Sequence, residues 1–140
     1  MIQISATARY ATRIMVTLAR NASGFPIQAR AIAREEAIPP DYALQILLKL
    51  KTAGLAASQR GVRGGFLLAC DPTTTTVLDV IRAVDGDIGL APCNRRKCPR
   101  ISQCPTREVW DEAAQSLKQV LAAKTLADLA ARHQAVSYEI

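Results

Sequence analysis

The stretch IPPDYALQILLKLKTAGLAASQRGVRGGFLL, residues 38–68, decides the architecture. Pro39-Pro40 bars a helix arriving from upstream but suits the first turn of a new one. A third helix is therefore expected over 41–53, with Leu44, Leu47, Leu48 and Leu50 as its inward positions. Gly54 is its expected stop. Leu55–Arg60 reads as a short strand, Gly61-Val-Arg-Gly-Gly65 as a turn with an arginine at its tip, and Phe66–Ala69 as the returning strand. Upstream, residues 27–37 form a short second helix with Ile27, Ala31 and Ile32 apolar and Arg30 and Arg34 outward. Two helices joined by a tight turn match a helix-turn-helix, and a two-stranded ribbon directly after the second is a wing.

The rest of the chain extends this unit. Residues 5–21 read as a first helix on an apolar stripe of Ala8, Ala11, Met15, Leu18 and Ala19. Thr76 with Asp79 forms a capping pair that opens a helix over 77–84. Residues 85–104 are loop-like, and a long helix follows over 106–123. Trp110, Ala113, Ala114, Leu117, Val120 and Leu121 recur on it at helical spacing. That face could cover the wing domain, but a homodimer interface is the preferred reading, because proteins that read palindromic sites need a two-fold. Thr125 with Asp128 caps a final helix over 126–133, followed by a tail. The fold class is thus mainly α with a small two-stranded wing: a winged helix-turn-helix over 1–84, a cysteine loop over 85–105, and a dimerisation helix with a C-terminal helix over 106–140.

Charge narrows the function. Residues 1–69 hold nine Lys/Arg against three acidic residues, net +6, whereas residues 70–140 hold nine of each, net zero. Only the helix-turn-helix half is suited to a polyanion. Lys49, Lys51, Arg60 and Arg63 are candidates for phosphate or groove contacts, with Gly61 in the wing turn, and Tyr42 and Gln45 are candidates for base or backbone contacts. The partner expected is a double-stranded DNA operator. No segment reaches the roughly 20 apolar residues of a membrane span, and the N-terminus lacks the pattern of a signal peptide. A cytoplasmic protein, with reduced thiols, is the expectation. One histidine, no paired acid–base motif and no phosphate-cradling loop argue against an enzyme.

Cys93, Cys98 and Cys104 are spaced by four and then five residues, each beside a proline: Pro92, Pro99 and Pro105. Such gaps can wrap an iron–sulfur cluster, whereas structural zinc more often uses close C-x-x-C pairs. Arg95, Arg96, Lys97 and Arg100 would favour thiolates and a net-negative cluster. A zinc site, or a basic loop with free redox-active thiols, stays open on spacing alone. Cys70 reads as a small buried hydrophobe, and His133 as an ordinary helix residue.

Arg9-Tyr10-Ala11, the Ile38-Pro-Pro-Asp-Tyr42 entry, Gln45-Ile-Leu-Leu-Lys-Leu50, Ala53-Gly-Leu55, Arg60-Gly-Val-Arg-Gly-Gly-Phe-Leu-Leu68, Asp79-Val-Ile81, the three cysteines and Thr125-Leu-Ala-Asp-Leu129 together resemble the Rrf2 family of winged-helix regulators. The resemblance spans nearly the whole chain. It implies a homodimer joined by helix 106–123, and DNA contact through helix 41–53 and the wing. It also implies a cluster, 2Fe-2S or 4Fe-4S, held by Cys93, Cys98 and Cys104 and switching operator affinity. The fourth ligand departs from the family pattern. Arg107 stands where IscR-like members carry histidine, and Arg9 where NsrR-like members can carry aspartate. Residues 1–34 contain no Asp, Glu, His or Cys. Glu108, water, a small thiol or an open iron site would complete the set.

Overall fold

The protein is described by a computed structural model over residues 1–94 and 98–137, without the side chains of residue 94 and residues 133–137. Helix α1 (Ala6–Arg20) starts where the Ser5 hydroxyl accepts the Ala8 N–H at 2.9 Å, satisfying one orphan donor of the first turn. It sinks Ala8, Ala11, Met15 and Leu18 as the stripe requires, and Ile14 and Thr17 join them; Ala19 stays half-buried. The buried Thr17 hydroxyl is satisfied by Glu36 at 2.6 Å.

Helix α2 (Ala29–Glu36) buries Ile32 and Ala33, while Ala31 faces out. Ile27 lies ahead of the helix and belongs to the wing instead. The helix ends on Ala37 at φ 54°, with the Ile38 N–H donating to Ala33 O at 2.9 Å and the Ala37 N–H to Arg34 O at 3.3 Å. This is the bond pattern of a glycine-terminated helix, made here by an alanine. Left-handed backbone costs an L-residue roughly 1–2 kcal/mol, partly offset by the lower chain entropy of Ala than Gly in the unfolded state. Ala37→Gly is therefore expected to raise stability by about 0.5–1 kcal/mol in urea denaturation.

Helix α3 (Pro40–Thr52) begins at the second proline and buries Ala43, Ile46, Leu47 and Leu50. The inward set expected from the leucines alone needs correction: Leu47 and Leu50 are in the core, but Leu44 and Leu48 face outward. The rotation is set by Tyr42. Its hydroxyl shares a 2.5 Å hydrogen bond with Thr7, and its ring meets Tyr10 edge-on at 5.7 Å. With Tyr42 against α1, the i, i+3, i+4, i+7 stripe starts at Ala43. Gly54, at φ +78°, ends the helix with its N–H on Lys51 O and the Leu55 N–H on Leu50 O, both at 3.0 Å.

Strands β1 (Ala56–Gln59) and β2 (Gly65–Leu68) pair antiparallel, Ala56 opposite Leu68 and Gln59 opposite Gly65. Ile27 adds a third line: its N–H donates to Phe66 O at 2.9 Å and its carbonyl accepts the Phe66 N–H at 2.8 Å. The wing is thereby stitched to the segment just ahead of α2.

Helix α4 (Val77–Asp85) carries the expected capping box. The Thr76 N–H donates to the Asp79 carboxylate at 2.8 Å and the Asp79 N–H to the Thr76 hydroxyl at 3.2 Å. A single 3₁₀ turn lies at Pro92–Asn94, and α5 runs Arg107–Ala122. Helix α6 (Leu126–Ser137) opens on reciprocal Thr125–Asp128 bonds at 3.0 and 3.1 Å and continues four residues past the expected end at 133. It folds back onto α1. Leu126 is fully buried in the core that Ile14, Met15, Ile46, Leu47 and Leu50 build. The Val77 N–H on Lys124 O (2.9 Å) and the Leu126 N–H on Thr75 O (3.0 Å) clip this return in place.

Candidate nucleic-acid interface and cysteine loop

Burying Ala43, Ile46, Leu47 and Leu50 turns the opposite face of α3 to solvent, and that face presents Asp41, Leu44, Gln45, Leu48, Lys49 and Lys51. Beyond it the wing tip exposes Arg60, Gly61, Val62 and Arg63, while Gly64 is buried beneath. The tip is steadied by the Gln28 side-chain amide, which donates to Val62 O at 3.4 Å. Among the described residues Lys49, Lys51, Arg60 and Arg63 form no ion pair. Two of the three basic residues of α1 differ: Arg13 pairs with Glu36 at 2.7 Å and Arg20 with Glu35 at 3.7 Å, whereas Arg9 forms no ion pair among the described residues. The basic side chains of α3 and the wing are thus unpaired, and one acidic residue, Asp41, stands exposed on the first turn of α3. Tyr42 stands apart from the other candidates, since its half-buried ring and its hydroxyl are engaged with α1.

The cysteine loop leaves α4 through Gly86-Asp87. Asp87 accepts from Lys118 of α5 at 2.9 Å and from Arg82 of α4 at 3.0 Å. Those two cations, Lys118 first, hold its carboxyl at about 2. The loop re-enters α5 through Cys104 and Arg107, whose guanidinium donates to Ile101 O at 3.4 Å. Its far half is built from turns, with the Ile101 N–H on Cys98 O at 3.2 Å and the Gln103 N–H on Arg100 O at 3.0 Å.

Cys93 sits in the 3₁₀ turn, and Cys93, Cys98 and Cys104 are all free and partly exposed thiols. The Thr106 hydroxyl, 3.3 Å from Cys104 Sγ, lowers the Cys104 pKa from the usual thiol value, helped by the Thr106 and Arg107 amides and the Arg100 charge. The chemistry of this donor set, accessible thiols in a cationic setting, fits an iron–sulfur cluster. Their positions do not yet close around one: among the described residues no three His, Cys, Asp or Glu side chains are gathered as a metal site. Arg95, Arg96 and Lys97, named as thiolate-favouring cations, lie outside the described residues, as does the side chain of His133. Glu108 is exposed on the first turn of α5. Cys70 is half-buried at the end of the wing and packs on the core.

The apolar stripe of α5 divides. Ala114 is buried and Leu117 and Leu121 are half-buried where the helix lies along α4, whereas Trp110, Ala113 and Val120 are exposed, together with Val109. Sequence reasoning passed over Val109, although it lies on the same helical arc. It also missed Asp87, since partners 31 residues apart leave no local pattern.

The comparisons with known proteins agree with this architecture. The family model described as Rrf2, iron-dependent transcriptional regulator, matches residues 4–132. A Mycobacterium tuberculosis protein named as an HTH-type transcriptional regulator is 37% identical over 138 residues, covering 92% of this chain and 81% of that protein. The solved structure of CymR, titled the global cysteine regulator of B. subtilis, superposes with a TM-score of 0.78 at 32% identity, covering 94% of this chain and 98% of the other. That of T. potens IscR superposes with a TM-score of 0.75 at 29% identity, covering 91% and 85%. No helix among the described residues is long and apolar enough to cross a membrane. With its helix-turn-helix, stitched wing and long α5, this chain belongs to the Rrf2 family of transcriptional regulators, and it is a regulator rather than an enzyme.

Proposed function

We propose that the chain binds a double-stranded DNA operator as a homodimer and that an iron–sulfur cluster on Cys93, Cys98 and Cys104 sets its affinity. The observation that carries this reading is the position of the cysteine loop, tied to α4 by Arg82–Asp87 and to α5 by Lys118–Asp87 and Arg107–Ile101. Helix α4 packs on α3, so a shift at the loop's base reaches the helix that would enter the major groove. Gln45, Lys49 and Lys51 of α3 and Arg60, Gly61 and Arg63 of the wing make the DNA contacts. Tyr42 positions α3 against α1. Trp110, Ala113 and Val120 meet the partner copy, while Ala114, Leu117 and Leu121 seat α5 on its own domain. When bound, the cluster supplies a centre whose charge and integrity respond to oxidation, nitric oxide or iron supply.

The test is the visible absorption spectrum of protein purified without oxygen, with iron and sulfide assays on the same sample. Expected are visible absorption bands with iron and sulfide in cluster stoichiometry, lost when Cys98 is replaced by serine. A colourless protein that takes up no iron on anaerobic reconstitution overturns the cluster. Zinc in its place, or free thiols alone, would identify a dimeric winged-helix repressor with a zinc or thiol-redox loop.

A further inference from the structure

Leu44 and Leu48 are 41% and 47% exposed on α3, four residues apart and on one face. Neither serves the core, which is closed by Ala43, Ile46, Leu47 and Leu50. Single exposed leucines are ordinary, but two adjacent on one helix face make a contiguous apolar strip of the kind that marks a contact surface. Their neighbours on that face indicate the cover. Asp41, Gln45, Lys49 and Lys51 are exposed around them, two cations against one carboxylate, and both lysines lack an ion pair among the described residues. An apolar pair framed by unpaired cations suits a polyanion that carries apolar groups at matching depth, better than a second copy with the same positive charge.

We infer that Leu44 and Leu48 read thymine methyl groups in the major groove. This rests on the reading that α3 enters that groove. The C5-methyl of thymine is the apolar group that base edges present there; every other readable position is a donor or acceptor. A leucine against guanine O6 and N7 or cytosine N4 would strip water from a polar atom and offer nothing in return. Against thymine it buries a methyl and leaves no polar atom newly unpaired. Four helical residues rise about 6 Å, and bases on one strand are spaced about 3.4 Å apart. Since α3 lies in the groove at an angle to the duplex axis, the two leucines address positions no more than about two base steps apart. Gln45, between them, is left to reach a polar base edge.

The experiment uses full-length protein to enrich sites from random double-stranded DNA, then replaces each thymine of the enriched half-site by deoxyuridine, which removes the methyl alone. Expected is a loss of about fourfold in affinity per contacted methyl, at one or two positions no more than about two steps apart. Leu44→Ala and Leu48→Ala each abolish sensitivity at one of them, and Gln45→Ala leaves both. Exposure of these leucines makes the variants tolerable to the fold, which circular dichroism checks. Enriched sites without deoxyuridine sensitivity, or with sensitivity unchanged in both leucine variants, overturn this inference alone. Failure to enrich any DNA overturns the reading of α3 as a DNA-binding helix, and this inference with it.

Discussion

Replacing Arg60 and Arg63 together by alanine is expected to weaken operator binding on the order of a hundredfold for each wing engaged, without loss of folded protein. Both side chains stand exposed at the wing tip and pair with no acidic group among the described residues. Removing them therefore strips no native ion pair from the fold. A charge-assisted hydrogen bond to a phosphate contributes roughly 1.5–3 kcal/mol, so two lost contacts at the low end of that range account for that factor at each wing. The salt dependence gives a sharper signature. Each neutralised phosphate adds about 0.9 to the slope of log affinity against log salt, so the double variant should be shallower by about 2 for each wing engaged. Fluorescence anisotropy over a salt series measures both quantities. An unchanged slope would mean that the wing does not touch the backbone.

Gly65→Ala is expected to destabilise the protein by about 3 kcal/mol or more and to release the wing. An alanine Cβ there would lie 2.4 Å from the Ile27 carbonyl oxygen, closer than any real contact, and the backbone sits at φ +150°. Relief requires Ile27 and Phe66 to separate, which forfeits their two backbone hydrogen bonds, at about 1 kcal/mol each. It also loosens Phe66, a member of the core. Gly61→Ala is the internal control. It has positive φ, +107°, but nothing within 4 Å of the added methyl, so only backbone strain remains, about 1–2 kcal/mol. Urea denaturation of the two variants side by side should separate them by at least 1 kcal/mol. Equal losses would show that the approach of Ile27 is not what demands glycine at this position.

What could be read in advance divides along physical lines. The proline entry to α3, the Gly54 stop and the two Thr–Asp caps are local chemistry, and the structure contains each of them. The facing of α3 was not local. Four leucines and an isoleucine fit two stripes about equally well, and the choice rests on Tyr42 meeting Thr7 and Tyr10, residues 35 and 32 positions away. The same holds for Ile27, a wing partner rather than a helix residue, and for the return of Leu126 into the core. At the candidate site, the wing arginines and α3 lysines were legible because an exposed cation needs no partner to be recognised. The Asp87 tie between α4 and α5 was not, since it joins groups from three separate segments. The cysteines were legible as a donor set. Among the described residues they are not gathered as a metal site.

Operator affinity of cluster-loaded and cluster-free protein, compared at one salt concentration, tests the central claim most directly. A coupling of about 1–3 kcal/mol between loop and DNA face gives an expected difference of roughly 5- to 150-fold, and it should collapse when Cys98→Ser prevents loading. Equal affinities for the two forms, with the cluster present by its spectrum, would contradict a switch acting through this loop.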